Sequence, residues 1–203
     1  MMTRDQLLRP LAEHRGDAVV VTCMAVTRPW GRLSSSDLDF ASADSAMGHT
    51  ADLALGIALA QPGRKVICLN GDGSMLMTLG TLATVVASGA KNLVLLVVQN
   101  DSYEITGNQP IPGAGEIDFT LMARGAGFRR IYCFDDAANY ARRLPEVLWG
   151  EGPVFAVARV EKGSEGPISR SEREPSHYLK VSIAESAYRL RQALVRSQPT
   201  GDA

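Results

Sequence analysis

The chain has 203 residues, 45% of them hydrophobic and 21% charged, with a formal net charge of −1. That length accommodates one sizeable core. The balanced charge, with no basic block, leaves no electrostatic footprint for nucleic acid and favours a small-molecule site.

Arg4, Asp5, Arg9, Glu13 and Arg15 occupy the segment where a leader peptide needs an apolar stretch, and the longest aliphatic run, 93–98, is far too short to span a bilayer. A cytoplasmic protein without membrane contact is therefore expected. Residues 18–25 predict a first apolar strand, and Arg28-Pro29-Trp30-Gly31 predicts its end, followed by a polar loop rich in Ser and Asp through Ser45. Over 47–60, Leu53, Ile57 and Ala60 recur at helical spacing, and Gln61-Pro62-Gly63 predicts the stop. A strand over 65–70, a helix over 75–88 and a buried strand over 92–98 follow. The Gly/Pro loop 107–115 is longer than a plain connector needs, as loops that cover sites usually are.

A helix over 118–126, a strand over 130–134, a helix over 137–149 and a strand over 153–160 continue the alternation. Strands alternating with helices predict an α/β domain over 1–160, built on a parallel sheet with helices on both faces. Residues 161–203 differ: 161–175 is polar with Gly and Pro, and 181–196 is a charged amphipathic helix expected to pack on the domain or on a partner. Cys23, Cys68 and Cys133 are odd in number, widely spaced and each in an apolar run, which predicts reduced core residues.

Two turns carry the chemistry. Gly71-Asp72-Gly73-Ser74 follows one strand, and Gln99-Asn100-Asp101-Ser102-Tyr103 follows the next. A right-handed strand–helix–strand crossover sets these turns side by side at one sheet edge. There Asp72 and the Asn100 side chain can share a hard cation with a backbone carbonyl near Ser102, leaving positions for a diphosphate; magnesium suits such an oxygen set. Taken singly, Asp72 and Asn100 also suit turns or helix caps. The dinucleotide fingerprint needs a third Gly where Leu76 stands, and the phosphate-loop Gly-Lys-Ser/Thr is absent.

Gly71-Asp72-Gly73 followed by Gln99-Asn100 resembles the diphosphate-binding domain of thiamine diphosphate enzymes, with Gln in place of the first Asn of the closing pair. The resemblance covers about 17–162 and implies thiamine diphosphate and Mg2+ as cofactors. It implies Asp72, the Asn100 side chain and the Ser102 carbonyl as metal ligands, with Gly71, Gly73 and Ser74 around the diphosphate. It also implies that the Ser45 carbonyl meets the pyrimidine amino group, that Met47 wedges the cofactor into its bent form, and that Tyr103 and Ile105 line it. Ile105 and Met47 also have ordinary core positions as an alternative reading.

The segment Tyr103-Glu104-Ile105-Thr106-Gly107-Asn108-Gln109-Pro110 is similar to the matching loop of sulfopyruvate decarboxylase β subunits and, more loosely, of phosphonopyruvate decarboxylases. This implies decarboxylation of an anionic 2-oxo acid to an aldehyde. His49 and Glu104 are the candidate catalytic residues, His49 as a proton relay or as a merely structural imidazole. Arg28, Arg32, Arg170 and Gln109 are candidate substrate contacts. The family's activating Glu comes from a second domain, which implies a hetero-oligomer with a separate pyrimidine-binding subunit. An acetolactate-synthase-like carboligase subunit and a non-catalytic cofactor-binding or regulatory module are the alternatives.

Overall fold

A computed structural model describes residues 1–42 and 47–196. Helix α1 (Arg4–His14) leads into strand β1 (Val19–Thr22), helix α2 (Met24–Leu33), strand β2 (Asp39–Ala41) and helix α3 (Thr50–Ala60). Strand β3 (Val66–Gly71), helices α4 (Asp72–Met77) and α5 (Thr81–Ser88) and strand β4 (Leu93–Gln99) form the central unit. A small hairpin of β5 (Ser102–Tyr103) and β6 (Gln109–Pro110) encloses the 3-10 turn Glu104–Thr106. Helix α6 (Phe119–Ala126), strand β7 (Arg130–Phe134), helix α7 (Ala137–Trp149), strand β8 (Val154–Arg159) and helices α8 (His177–Lys180) and α9 (Ile183–Arg196) complete the chain.

The main sheet is parallel throughout, in the order β2-β1-β3-β4-β8-β7. Alternate strand residues point to opposite faces, so one chain of apolar runs fills two cores. Val20, Ile67, Leu69, Val94 and Leu96 meet α1, α2 and α7 on one face. Val19, Val21, Cys68, Leu95 and Val97 meet α3, α5 and α6 on the other. This is the predicted α/β architecture, and it explains why the inner strands read as unbroken apolar runs.

Several local expectations change. Arg28-Pro29-Trp30-Gly31 does not end the first element; it lies inside α2. A proline inside a helix costs roughly 3 kcal/mol, while burying an apolar side chain returns about 1.5–3 kcal/mol. Val26 and Trp30 are both buried, and Trp30 Nε1 donates to Asp39 Oδ1 at 3.0 Å, so tertiary packing outweighs the local penalty. The loop expected through Ser45 contains the short edge strand β2. The helix expected over 47–60 begins only at Thr50, because Gly48 takes a left-handed φ of +89°. The helix expected over 75–88 starts earlier, at Asp72, and breaks after Met77, where the Thr78 hydroxyl leaves the helical path to donate to the Gly48 carbonyl.

The N-terminal segment is a helix rather than merely a charged stretch. Thr3 and Gln6 form a reciprocal capping box, and Leu7, Leu8 and Leu11 are buried. Cys23 and Cys68 are buried as expected, but Cys133 is exposed, because β7 is the edge strand and this residue faces outward. Residues after β8 fold back onto the domain. The Glu161 N–H donates to the Met2 carbonyl at 2.9 Å, and Tyr178 and Leu179 enter the core shared with β1 and β3. Among the described residues no helix is long and apolar enough to cross a membrane.

Candidate functional site

The carboxyl ends of β1, β3 and β4 open into one cavity of 310 Å³, the position at which open parallel sheets bind ligands. Register pairing of Gly71 with Val98 brings the turn after β3 beside the turn after β4. Asp72 is 2% exposed. Its Oδ1 accepts the Gly73 N–H at 2.8 Å, and its Oδ2 accepts the N–H groups of Asn100 at 2.9 Å and Asp101 at 2.6 Å. Asp101 has a φ of +56°, a left-handed conformation that Asp tolerates better than most residues. That turn aims two successive N–H groups at one carboxylate oxygen.

Burial pushes the Asp72 carboxyl up to about 6, against the opposing pull of the three N–H donors. A buried carboxylate so placed gains from a nearby positive charge. Asn100 is 8% exposed; its Oδ1 accepts the Ser102 N–H at 3.1 Å and its Nδ2 donates to Glu104 Oε2 at 2.9 Å. Ser102 Oγ donates to Asn108 Oδ1 at 2.9 Å, which ties the hairpin to the site.

Gly73 has a reason of its own to lack a side chain. A Cβ there would lie 2.4 Å from Tyr103 Cε1, so the Tyr103 ring occupies the space over the turn. Ser74 Oγ is buried and, beyond an interaction with the Cys23 thiol, has no hydrogen-bond partner of ordinary geometry. The Cys23 Sγ accepts the Gly71 N–H at 3.1 Å, and burial pushes this thiol up.

Ten of the expected residues line this one cavity: Met47, Gly71, Asp72, Gly73, Ser74, Asn100, Ser102, Tyr103, Glu104 and Ile105. Ser45 lies outside the described residues. His49 is not in the wall; it is exposed, and its Nδ1 contacts Asp52 Oδ2 at 2.7 Å. Glu104 is in the wall but fully engaged. Burial favours its neutral form, yet the Arg4 guanidinium and the N–H groups of Glu165 and Gly163 outweigh it and hold the carboxyl below its ordinary value. Such a carboxylate is a poor proton donor near neutrality. Arg28 pairs with Glu174 and Glu165, and Arg32 with Glu165, away from the cavity; Gln109 is exposed and bonds Thr106.

Arg4, Cys23, Met24, Ala25, Val26, Met77, Val98 and Thr106 also line the cavity and were not anticipated. Cys23 and Met24 follow the end of β1, so the strand-end rule could have found them. Met24 also has a strained φ of +43°. Arg4 carries no local signal, since its partner Glu104 is 100 positions away.

The donors fit a cation and a diphosphate. Among the described residues no group of three His, Cys, Asp or Glu could hold a metal. The oxygens in the wall are instead the Asp72 carboxylate and the Asn100 amide, hard donors of the kind Mg2+ takes, and the Ser74 hydroxyl, which beyond the Cys23 thiol has no partner of ordinary geometry, stands in the same wall.

Residues 32–158 match the family described as thiamine pyrophosphate enzyme, C-terminal TPP binding domain. The chain is 35% identical over 198 residues to phosphonopyruvate decarboxylase of Streptomyces viridochromogenes, covering 97% of this chain and 47% of that protein. It is 38% identical over 118 residues to sulfopyruvate decarboxylase subunit beta of Methanothermobacter thermautotrophicus, covering 58% of this chain and 60% of that one. Among solved structures, benzoylformate decarboxylase from Polynucleobacter necessarius superposes with a TM-score of 0.66 at 19% identity, over 79% of this chain and 33% of that one, a likeness of fold alone. The chain spans about half the length of the curated relatives it matches. With its strand-end acid and amide and this match over most of the sheet, the chain belongs to the thiamine pyrophosphate enzymes, as a carrier of their C-terminal TPP-binding domain.

Proposed function

We propose that this chain is the diphosphate-side half of a thiamine diphosphate- and Mg2+-dependent decarboxylase acting on a 2-oxo acid with a sulfonate or phosphonate head, completed by a separate pyrimidine-side subunit. The observation that carries this reading is the junction of Asp72 with the turn after β4, where one carboxylate oxygen accepts the N–H groups of both Asn100 and Asp101. The names of the relatives support the substrate class, and the subunit-beta relative supports the divided site. When bound, thiamine diphosphate supplies an electron sink for the pair left behind as carbon dioxide departs.

This chain's residues bind and orient. Asp72, Asn100 and the Ser102 carbonyl hold the cation, and the Ser74 hydroxyl donates to the diphosphate. Met47 and Ile105 present apolar surface to the cofactor ring, and Tyr103, packed on Gly73, closes the turn against water. Cys23 to Val26 and Val98 form the apolar back wall. His49, outside the wall but two residues after the wall residue Met47, is the candidate proton relay; Asp52 engages its Nδ1, which leaves the other ring nitrogen to exchange the proton.

The test is to supply the complex in which the chain purifies with thiamine diphosphate, Mg2+ and, in turn, phosphonopyruvate, sulfopyruvate and pyruvate. Carbon dioxide with one equivalent of aldehyde from an anionic-headed substrate is expected. Acetolactate from pyruvate, with no aldehyde from any substrate, would instead establish a carboligase. No turnover and no cofactor binding would leave a non-catalytic module.

A further inference from the structure

Five hydrogen bonds converge on the Glu104 carboxylate. Arg4 of α1 donates Nη1 to Oε1 at 3.1 Å and Nη2 to Oε2 at 2.5 Å. The Asn100 Nδ2 donates to Oε2 at 2.9 Å, and the N–H groups of Gly163 and Glu165, in the segment after β8, donate at 3.2 and 2.8 Å. The three sources are far apart in sequence, and their donors converge on this residue.

An ionised carboxylate can only accept. The Asn100 group that faces it is therefore the NH2, and the planar amide must turn its carbonyl oxygen to the other branch, toward the Ser102 N–H at 3.1 Å. With a neutral Gln at 104 this constraint disappears, because a primary amide both donates and accepts, and either orientation of Asn100 finds a partner.

We infer that Glu104 is a positioning residue: held by Arg4 and by the backbone of residues 163 and 165, it fixes the Asn100 amide oxygen for cation binding and so couples α1 and the segment after β8 to the site. The inference rests on the reading of Asp72 and Asn100 as cation ligands. Gly163 offers a handle outside the cavity wall. A Cβ there would lie 2.6 Å from Arg4 Nη1 and 2.7 Å from Glu104 Oε1, so Gly163→Ala displaces the ion pair without adding an atom to the wall.

The experiment follows Mn2+ binding in the presence of thiamine diphosphate, from the electron paramagnetic resonance of the unbound ion, on the full chain in the complex with which it purifies. Glu104→Gln is expected to weaken Mn2+ binding about 10- to 100-fold, the usual effect of losing a group that orients a metal ligand. Gly163→Ala should weaken it in the same direction, and it carries the test if Glu104→Gln fails to fold. Because Glu104 acts through Asn100, the double variant Asn100→Ala/Glu104→Gln should bind no more weakly than Asn100→Ala alone.

A second readout needs no metal: the side-chain amide 15N–1H resonances of Asn100 should shift and exchange faster in Glu104→Gln. Losses that add in the double variant overturn the inference, as does native affinity with unmoved Asn100 resonances in Glu104→Gln. If the native complex binds no Mn2+ while the Asn100 resonances still respond to Glu104→Gln, the cation reading itself falls, and the coupling with it.

Discussion

Asp72 and Gly73 make opposite demands on their surroundings. Asp72 needs a charge that burial denies it. Its folded pKa of about 6 lies above its ordinary 3.8, so the folded chain retains a proton that the unfolded chain has released between those values. The stability this lends the cofactor-free chain is complete below the lower value and is lost as pH rises through about 6. A divalent cation prefers the ionised form, so Mg2+ affinity should climb as pH rises through about 6 and then level off, which titrations across that range would read. An affinity that is flat across the range would contradict it.

Gly73 needs emptiness, because Tyr103 fills the space where a side chain would go. Gly73→Ala should cost about 1–3 kcal/mol in denaturant unfolding, as overpacking does. Tyr103→Ala in the same chain should restore most of it, and failure of that rescue would show that the ring is not the obstacle. These two residues were legible because the motif that carries them is local, a strand, a turn and an acid in succession, whereas their partners Asn100, Asp101 and Tyr103 lie on the turn after the next strand. Glu104 was legible as a wall residue but not as a hub, since three of its donors, Arg4, Gly163 and Glu165, lie between 59 and 100 positions away.

At the scale of elements, β3, β4 and β8 announce themselves through apolar runs, because a parallel strand buried on both faces leaves no polar alternation to confuse it. Helix α2 does not, because Pro29 stands in its interior and only burial of Val26 and Trp30 justifies it. Strand β2 is three residues long and lies in a polar stretch, too short to show a period.

The segment between β8 and α8 is fastened to α2 by Arg28, which donates Nε to Glu174 Oε2 at 3.0 Å and Nη2 to Oε1 at 2.9 Å. The Arg28 side chain with the N–H and hydroxyl of Ser169 outweighs burial and pulls the Glu174 carboxyl down to about 2. Its contribution to stability is therefore complete above the ordinary value of 4.5 and is lost as pH falls toward about 2. Glu174→Gln should destabilise the chain near neutrality by up to roughly 3 kcal/mol, since Arg28 stays partly solvated. It should also flatten acid unfolding between those pH values, and an unchanged acid limb would show that the clasp is not what fails first.

The whole molecule presents its cavity beside exposed apolar surface. Met47 is 59% and Met77 48% exposed, both line the cavity, and Leu79, also partly exposed, follows in the same break between α4 and α5. Apolar exposure of this kind beside a site suits a partner surface. Met77→Lys should prevent assembly with the pyrimidine-side subunit in size-exclusion chromatography while leaving the melting temperature of the isolated chain close to native. Assembly that survives the charge would place the interface elsewhere. Sequence periodicity does not reveal such a face, because Met47, Met77 and Leu79 come from two separate stretches of chain that the fold brings to one side of the cavity.

Calorimetric titration of the complex with thiamine diphosphate in the presence of Mg2+ bears most directly on the joint use of Asp72 and Asn100. The native protein should bind with a strict requirement for the cation, and Asp72→Ala and Asn100→Ala should each abolish that requirement together with most of the affinity. Native-like, cation-dependent binding in both variants would contradict the assignment of the site.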